Sequence, residues 1–496
     1  MSRVRGNLVA NLTSTLITTI AMIVAVPVIV KLLGVASFGL VGLYATVQAA
    51  LAALDLGLGA TINRESARLN AVHDTSAIRR MLVSFSWLYW GVALAIAALG
   101  LLVGPMIASH WIQSIDTVPR SDVRTAAIGI ALALAAAWPG TCYRNALNGL
   151  EHQTLTAIAA TGATLLRTIG AIAALQLAGP SIGVYFAVQI AANVLETAAC
   201  AMMLRRVLPS NGTVVRFDRN ELLARRNFAG AMAVFVALGL LLHQSDRLVL
   251  SRIAPLDAFG GYVVAWMAAS MLIKLASPLV TAIAPRAAAL VSVDRHDDSH
   301  DLLRITIALL SAVVAPAAVI LAVFPRATLI VWGQTAEAIE HAAPVLSSLA
   351  CAAMMIAWAQ PILTLSFARG HVLSVAVVNG IALLVAIPTV TAGYMTDGLA
   401  GAALAMASAC AAAFAGTALV VLRRERGALA RIVLFDMVVP VAAACAIALA
   451  VRALIPMPAS RGLLGLLLAA SGVGAAGAAI VVAPRLRPFV LARQPR

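Results

Sequence analysis

Apolar runs of about twenty residues follow one another from Asn7 to Val482, broken only by short polar segments rich in arginine. A helix of that length spans the roughly 30 Å hydrocarbon layer of a membrane. The pattern therefore predicts an all-α polytopic membrane protein. Soluble domains carry about a quarter charged residues. This chain has 11%, with 62% hydrophobic residues and a mean hydropathy of +0.97, which leaves no stretch for a soluble domain. The first run is longer than the apolar core of a signal peptide, contains Pro27 and lacks a cleavage site, so it is expected to remain as a helix.

Cutting at charged and Pro/Gly-rich breaks gives about 14 transmembrane helices. A net charge of +15 would suit a nucleic-acid partner if it formed one patch. The basic residues lie instead in the short breaks, where they act as topology signals, and no nucleic acid is expected. With the N-terminus inside, 25 of the 35 Lys and Arg fall in inner segments and eight in outer ones. Positive charge collects on the cytoplasmic side, so both termini are expected to be cytoplasmic. The outer segments are short. A glycan polymerase or ligase is expected to present a sizeable external loop, so the chain reads as a non-enzyme.

Cys142, Cys200, Cys351, Cys410 and Cys445 are odd in number and show no CxxC spacing. They read as small packing hydrophobes rather than disulfides or metal ligands. GxxxxGK[ST] and HExxH are absent from the sequence, and neither a metal nor another cofactor is expected.

The chain also matches itself at a spacing of about 220 residues. Arg5-Gly6-Asn7 corresponds to Arg225-Arg226-Asn227, Phe38-Gly39 to Phe259-Gly260, Trp138 to Trp358, and Leu204-Arg205-Arg206 to Leu422-Arg423-Arg424. The constant order and spacing predict two six-helix lobes, residues 1–215 and 216–430, related by pseudo-two-fold symmetry about the membrane normal. Residues 431–496 add two C-terminal helices and a cytoplasmic tail. Transporters built from such repeats alternate access by rocking one half against the other.

Three segments carry a resemblance to a known family. They are PVIVKLLGVASFGLVGLY (Pro27 to Tyr44) with LDLGLG (Leu54 to Gly59), QSDRLVLSRIAPLDAFGGYVVA (Gln244 to Ala265), and DGLAGAALA (Asp397 to Ala405). Over nearly the whole chain the sequence resembles the O-antigen-type (Wzx-like) polysaccharide flippases of the multidrug/oligosaccharidyl-lipid/polysaccharide (MOP) exporter superfamily. The first helix, uncharged from Asn7 to Val30, departs from the basic first helix of the related lipid II flippases. The additional helix pair departs from the drug antiporters. The resemblance implies a bacterial inner-membrane protein that moves an undecaprenyl-diphosphate-linked oligosaccharide from the cytoplasmic to the periplasmic leaflet by alternating access. Its implied partners are that lipid-linked glycan, membrane lipids and the polysaccharide polymerase or chain-length machinery. Two alternatives stay open: a cation-coupled drug antiporter, and a membrane glycan polymerase or ligase.

A charge at a helix centre costs about 2.5–3.5 kcal/mol on the insertion scale, so embedded charges mark cavities or partners. Arg167 and Lys274 place one cation in each half, suited to the diphosphate of such a substrate. The competing reading is an internal ion pair with Glu196. Asn7 and Asn11 share a helix face and are candidates for binding sugar hydroxyls, or for hydrogen bonding between helices. His243 and Asp246, three residues apart beside Arg247, form a candidate proton-coupling site, against the reading of a plain Asp–Arg pair near the outer end of the seventh span. Asp55 is expected to lock onto Arg64 or Arg68, and Pro27 to bend the first helix. Trp87, Trp90, Trp111 and Trp332 read as interfacial anchors.

Overall fold

In lipid no water satisfies a backbone N–H or C=O, so the apolar runs form helices, which satisfy their own. The computed structural model describes residues 2–55, 57–110, 118–208, 217–219, 221, 226–293, 295–422, 430, 432–458 and 460–482, with the side chains of residues 2–12, 53–54, 107–110, 226–235, 285 and 296 left aside. Two compact units emerge: Met1–Leu240 with Ser251–Gly260, and Leu241–Leu250 with Gly261–Arg496.

The first unit contains α1 (Ser2–Leu33), α2 (Val35–Leu54), α3 (Leu58–Ala71), α4 (Thr75–His110), α5 (Arg120–Gly149), α6 (Gln153–Ala178), α7 (Ile182–Val207) and most of α8 (Arg226–Ile253). The second contains the rest of α8, then α9 (Leu256–Ser292), of which Leu256–Gly260 belong to the first unit, and α10 (His296–Val323). It continues with α11 (Pro325–Trp332), α12 (Ala336–Ala368), α13 (Val372–Leu422), α14 (Ile432–Leu454) and α15 (Arg461–Val482).

Twelve helices among the described residues are long and apolar enough to cross a membrane. One of them, α13, is two helices joined across Asp397 and Gly398, and α8 is 28 residues long, which brings the crossings to about fourteen. Val35, Thr75, Arg120 and Gln153 open helices in the first half, and Leu256, His296, Ala336 and Val372 open theirs about 220 residues later. That is the period of the sequence repeat.

Not every element is visible in the sequence. The polar stretch after Asp55, one of the breaks between apolar runs, forms α3. Gly57, with φ 69°, turns the chain, and Thr61, Ile62, Ser66 and Leu69 bury one face while Arg64 and Arg68 stay exposed. Asp74 then caps α4, accepting the Ala77 N–H at 2.9 Å and the Ser76 hydroxyl at 2.7 Å, contacts that hold its carboxyl below the ordinary range.

Ile62 of α3, Met81, Phe85 and Tyr89 of α4, and Cys142 and Leu147 of α5 form an apolar cluster of the first unit. In the second unit, Val319 of α10 packs with Ala444 and Ala448 of α14 and with Leu468 and Ala475 of α15. Ala444, Ala448 and Ala475 make half of the buried residues of this second cluster, and small side chains let helices approach closely where lipid supplies no hydrophobic drive. The five cysteines are unbridged, and Cys142, Cys200 and Cys410 are buried.

The DGLAG segment opens a reversal within α13. Gly398 adopts φ 56°, ψ −142°, and beyond it Gly401 returns against the backbone of Gly393. That φ/ψ combination lies far from the left-handed helical well that asparagine tolerates. Space is open around Gly398, so its substitution cost is purely conformational. Gly398→Ala and Gly398→Asn should each lower stability by about 1–3 kcal/mol, read by thermal unfolding in detergent. A stable Asn variant would contradict this backbone assignment.

Candidate functional site

The polar residues of α7 fall on one helical face: Gln189, Asn193, Glu196 and Thr197, spaced at i, i+4, i+7 and i+8. All four are buried. Buried polar groups need partners, and each has one. Thr197 donates to the Ala136 carbonyl at 2.8 Å, and the Asn193 amide donates to the Ala133 carbonyl at 2.8 Å and to the Tyr44 hydroxyl at 3.2 Å.

Facing this stripe, α6 departs from α-helical hydrogen bonding over Leu166–Gly170, where it makes a π-turn. Such turns carry carbonyls out of the regular ladder and recur at functional sites. The Arg167 carbonyl here accepts the Gln189 amide at 3.2 Å. The Arg167 side chain reaches Asn193 Oδ1 at 3.0 Å and forms an ion pair with Glu196 Oε2. Arg144 of α5 pairs with the other carboxylate oxygen, Oε1, and approaches Thr141 Oγ1 at 3.5 Å.

One carboxylate thus joins two guanidiniums from two other helices, leaving one positive charge in excess. Glu196 is 6% exposed, whereas the Arg144 and Arg167 side chains are 35% and 25% exposed. The carboxylate is the buried hub and the cations are its accessible edge. The sequence placed Arg144 in an inner segment and offered Arg167 and Glu196 as either a cavity or a pair. The structure joins all three. Lys274 belongs to the other unit, partly buried near the middle of α9, while both oxygens of Glu196 face arginines of the first unit.

In the second unit Asp246 is fully buried. It accepts the Tyr262 hydroxyl at 2.7 Å and pairs with Arg247 Nε at 3.3 Å. Arg247, itself 4% exposed, also donates to the His243 carbonyl and lies 4.0 Å from the centroid of the Trp266 ring. The pair is therefore enclosed in protein. A second embedded pair escaped the sequence reading. Asp436, fully buried in the π-turn Ile432–Val438, accepts Arg304 Nε at 3.0 Å. The signal was available: an acid within VLFDMVV carries the insertion cost of any charge in an apolar run.

Asp55 does not take the partners expected for it. Its carboxylate accepts the Tyr89 hydroxyl and, at 2.8 Å, the Gly59 N–H, whereas Arg64 and Arg68 flank Glu65. The reason is local: the turn at Gly57 folds Asp55 back over the start of α3, and α3 carries its arginines on the opposite, exposed face. Burial pushes the Asp55 carboxyl above its ordinary value of 3.8, the Tyr89 and Gly59 bonds opposing. A group raised on folding stabilises below its unfolded value, and that contribution is lost as pH rises through the folded one. Stability should therefore fall as pH rises through that raised value, and Asp55→Asn should flatten this part of the profile. Unfolding scans at a series of pH values starting near 3.8 check it; parallel profiles would refute it.

Pro27 lies within α1, where it has no N–H to donate to the preceding turn. The side chains of Asn7 and Asn11, and all of Trp111, fall outside the described residues. Trp87 and Trp90 sit well inside α4, 65% and 46% exposed. Among the described residues no three His, Cys, Asp or Glu side chains gather in a metal-binding group.

About fourteen membrane-crossing helices with buried ion pairs define a multi-pass membrane protein, and its fold is that of the MOP-superfamily transporters. The lipid II flippase MurJ in an inward closed conformation superimposes with a TM-score of 0.69 at 10% identity, covering 98% of this chain and 99% of that one. An inward-facing multidrug resistance transporter of the MATE family gives 0.64 at 15% identity, over 86% and 99%. A point mutant of the Vibrio cholerae MATE transporter VcmN gives 0.59 at 14%, over 86% and 99%. No curated protein matches by sequence. The family description "Polysaccharide biosynthesis protein" matches residues 4–291, more than half of the chain, and the chain belongs to that family.

Proposed function

We propose that this protein is a flippase for a lipid-linked oligosaccharide, carried on a polyprenyl diphosphate such as undecaprenyl diphosphate, in bacterial polysaccharide biosynthesis. The observation that carries the reading is the excess cation of the Arg144–Glu196–Arg167 cluster. A diphosphate entering the membrane loses hydration, and guanidiniums replace it with paired, charge-assisted hydrogen bonds. Glu196 and Asn193 hold the two guanidiniums in place beforehand, which reduces the ordering cost of binding. Membership of a polysaccharide biosynthesis family and the flippase-like fold support the same cargo class.

Lys274 serves as a second cation, and the His243–Asp246–Arg247 group links movement to a proton gradient. Asn7 and Asn11 contact sugar hydroxyls, and Pro27 provides the bend for alternating access. The protein lies in the bacterial inner membrane with both termini cytoplasmic, organised as residues 1–215, 216–430 and 431–496. It hands its cargo to a polysaccharide polymerase.

The MATE-like fold keeps a drug antiporter as the second reading. A cationic drug would be repelled by the excess charge at the cluster, which favours the anionic cargo. Depleting the protein in its host should make lipid-linked glycan accumulate on the cytoplasmic leaflet, as read by its inaccessibility to an impermeant sugar-oxidising reagent. Accumulation of single units outside would overturn flipping in favour of polymerisation. Arg167→Met should keep the neutral Arg144–Glu196 pair and a near-native melting temperature while reducing transport at least tenfold; full transport at equal protein level would overturn the role of the cluster.

A further inference from the structure

A groove of about 620 Å³ runs along the first unit between α4, α5 and α7. None of its residues belongs to the Arg144–Glu196–Arg167 cluster. At one end stand Arg79, near the start of α4, and Arg205, in the last turn of α7. Among the described residues neither meets a carboxylate. From there the walls turn apolar, with Leu82, Trp87 and Trp90 following on α4. Eleven residues separate Arg79 from Trp90, a rise of roughly 16 Å along the helix, comparable with one leaflet's depth. Trp90 Nε1 donates to Tyr143 Oη at 3.0 Å. This satisfies the polar edge of the indole and leaves its faces as wall.

Two guanidiniums at the mouth of an apolar, aromatic channel on membrane-crossing helices match one molecular shape: a phosphate head with a hydrocarbon chain. We propose that this groove binds one anionic phospholipid, its phosphate on Arg79 and Arg205 and an acyl chain along Trp87 and Trp90. Positive topology signals alone would account for the arginines but not for the channel behind them. A free anion would use the mouth and leave the walls empty. The lipid is a resident ligand of the first unit's surface, independent of the cargo proposed above.

The test uses the full-length protein purified in detergent and returned to phosphatidylcholine nanodiscs. Phosphatidylglycerol with brominated acyl chains should quench the fluorescence lost in Trp87→Phe/Trp90→Phe, and at a concentration about tenfold lower than brominated phosphatidylcholine requires. Arg79→Gln/Arg205→Gln should abolish that preference while eluting and melting like the native protein. If the double variant does not fold, Arg205→Gln alone must reduce the preference. Equal quenching by both lipids, or an unchanged preference in the arginine variants, overturns the proposal. So does displacement of the lipid by inorganic phosphate, which marks a soluble-anion site, or by micromolar polyprenyl diphosphate, which marks a substrate site.

Discussion

Glu196→Gln is expected to destabilise the protein by about 2–3 kcal/mol and to abolish transport. Removing one partner of a fully buried ion pair costs about 3–5 kcal/mol; the partial exposure of Arg144 and Arg167 lets solvent screen part of it. The variant leaves two guanidiniums, brought in by α5 and α6, facing each other across an amide that balances neither charge. Thermal unfolding in detergent measures the loss. Restoration by Glu196→Gln/Arg144→Met, which removes one cation, distinguishes repulsion from loss of packing. A Glu196→Gln protein as stable as the native one would mean that the carboxylate is not the hub described above.

Asp246→Asn should cost more, about 3–5 kcal/mol. Here both charges are enclosed, and the remaining contacts of Arg247, the His243 carbonyl and the Trp266 ring, carry no formal negative charge. The double change Asp246→Asn/Arg247→Met removes both charges and should recover most of the loss, since an apolar replacement of a whole buried pair is often neutral. A double-mutant cycle on purified protein gives the coupling directly. Losses that simply add would show that the two side chains do not act as a pair. The same variants bear on energy coupling: if Asp246 exchanges protons during transport, the double variant should be stable yet insensitive to an imposed pH gradient.

The helices were legible because lipid allows few alternatives: runs such as Ile182 to Val207 have one way to satisfy their backbone. Embedded cations such as Arg167 were legible for the same reason. Glu196 was legible as one of two readings for Arg167, 29 residues away, but not the part of Arg144, 52 residues from it, because only the packing of α5, α6 and α7 brings the three together. Arg144 looked like a loop residue because it stands at the polar end of its run. The stripe of Gln189, Asn193 and Glu196 was in plain view as a helical spacing, yet without a facing helix it pointed to no chemistry. Asp55 misled for the opposite reason: its sequence neighbours Arg64 and Arg68 were obvious partners, but the glycine turn directed them away from it.

The π-turn in α6 has a consequence for the phase of that helix. A π-turn holds one residue more than a regular α-helical ladder would use. Each residue of an α-helix turns the chain by about 100°. Winding all five residues of Leu166–Gly170 as regular α-helix would therefore rotate Ala171–Ala178 by that angle against Gln153–Leu165. Leu175, now 1% exposed, would leave the core. The wider turn takes up the additional residue, so α6 keeps Arg167 opposite Glu196 and Leu175 in the core at once.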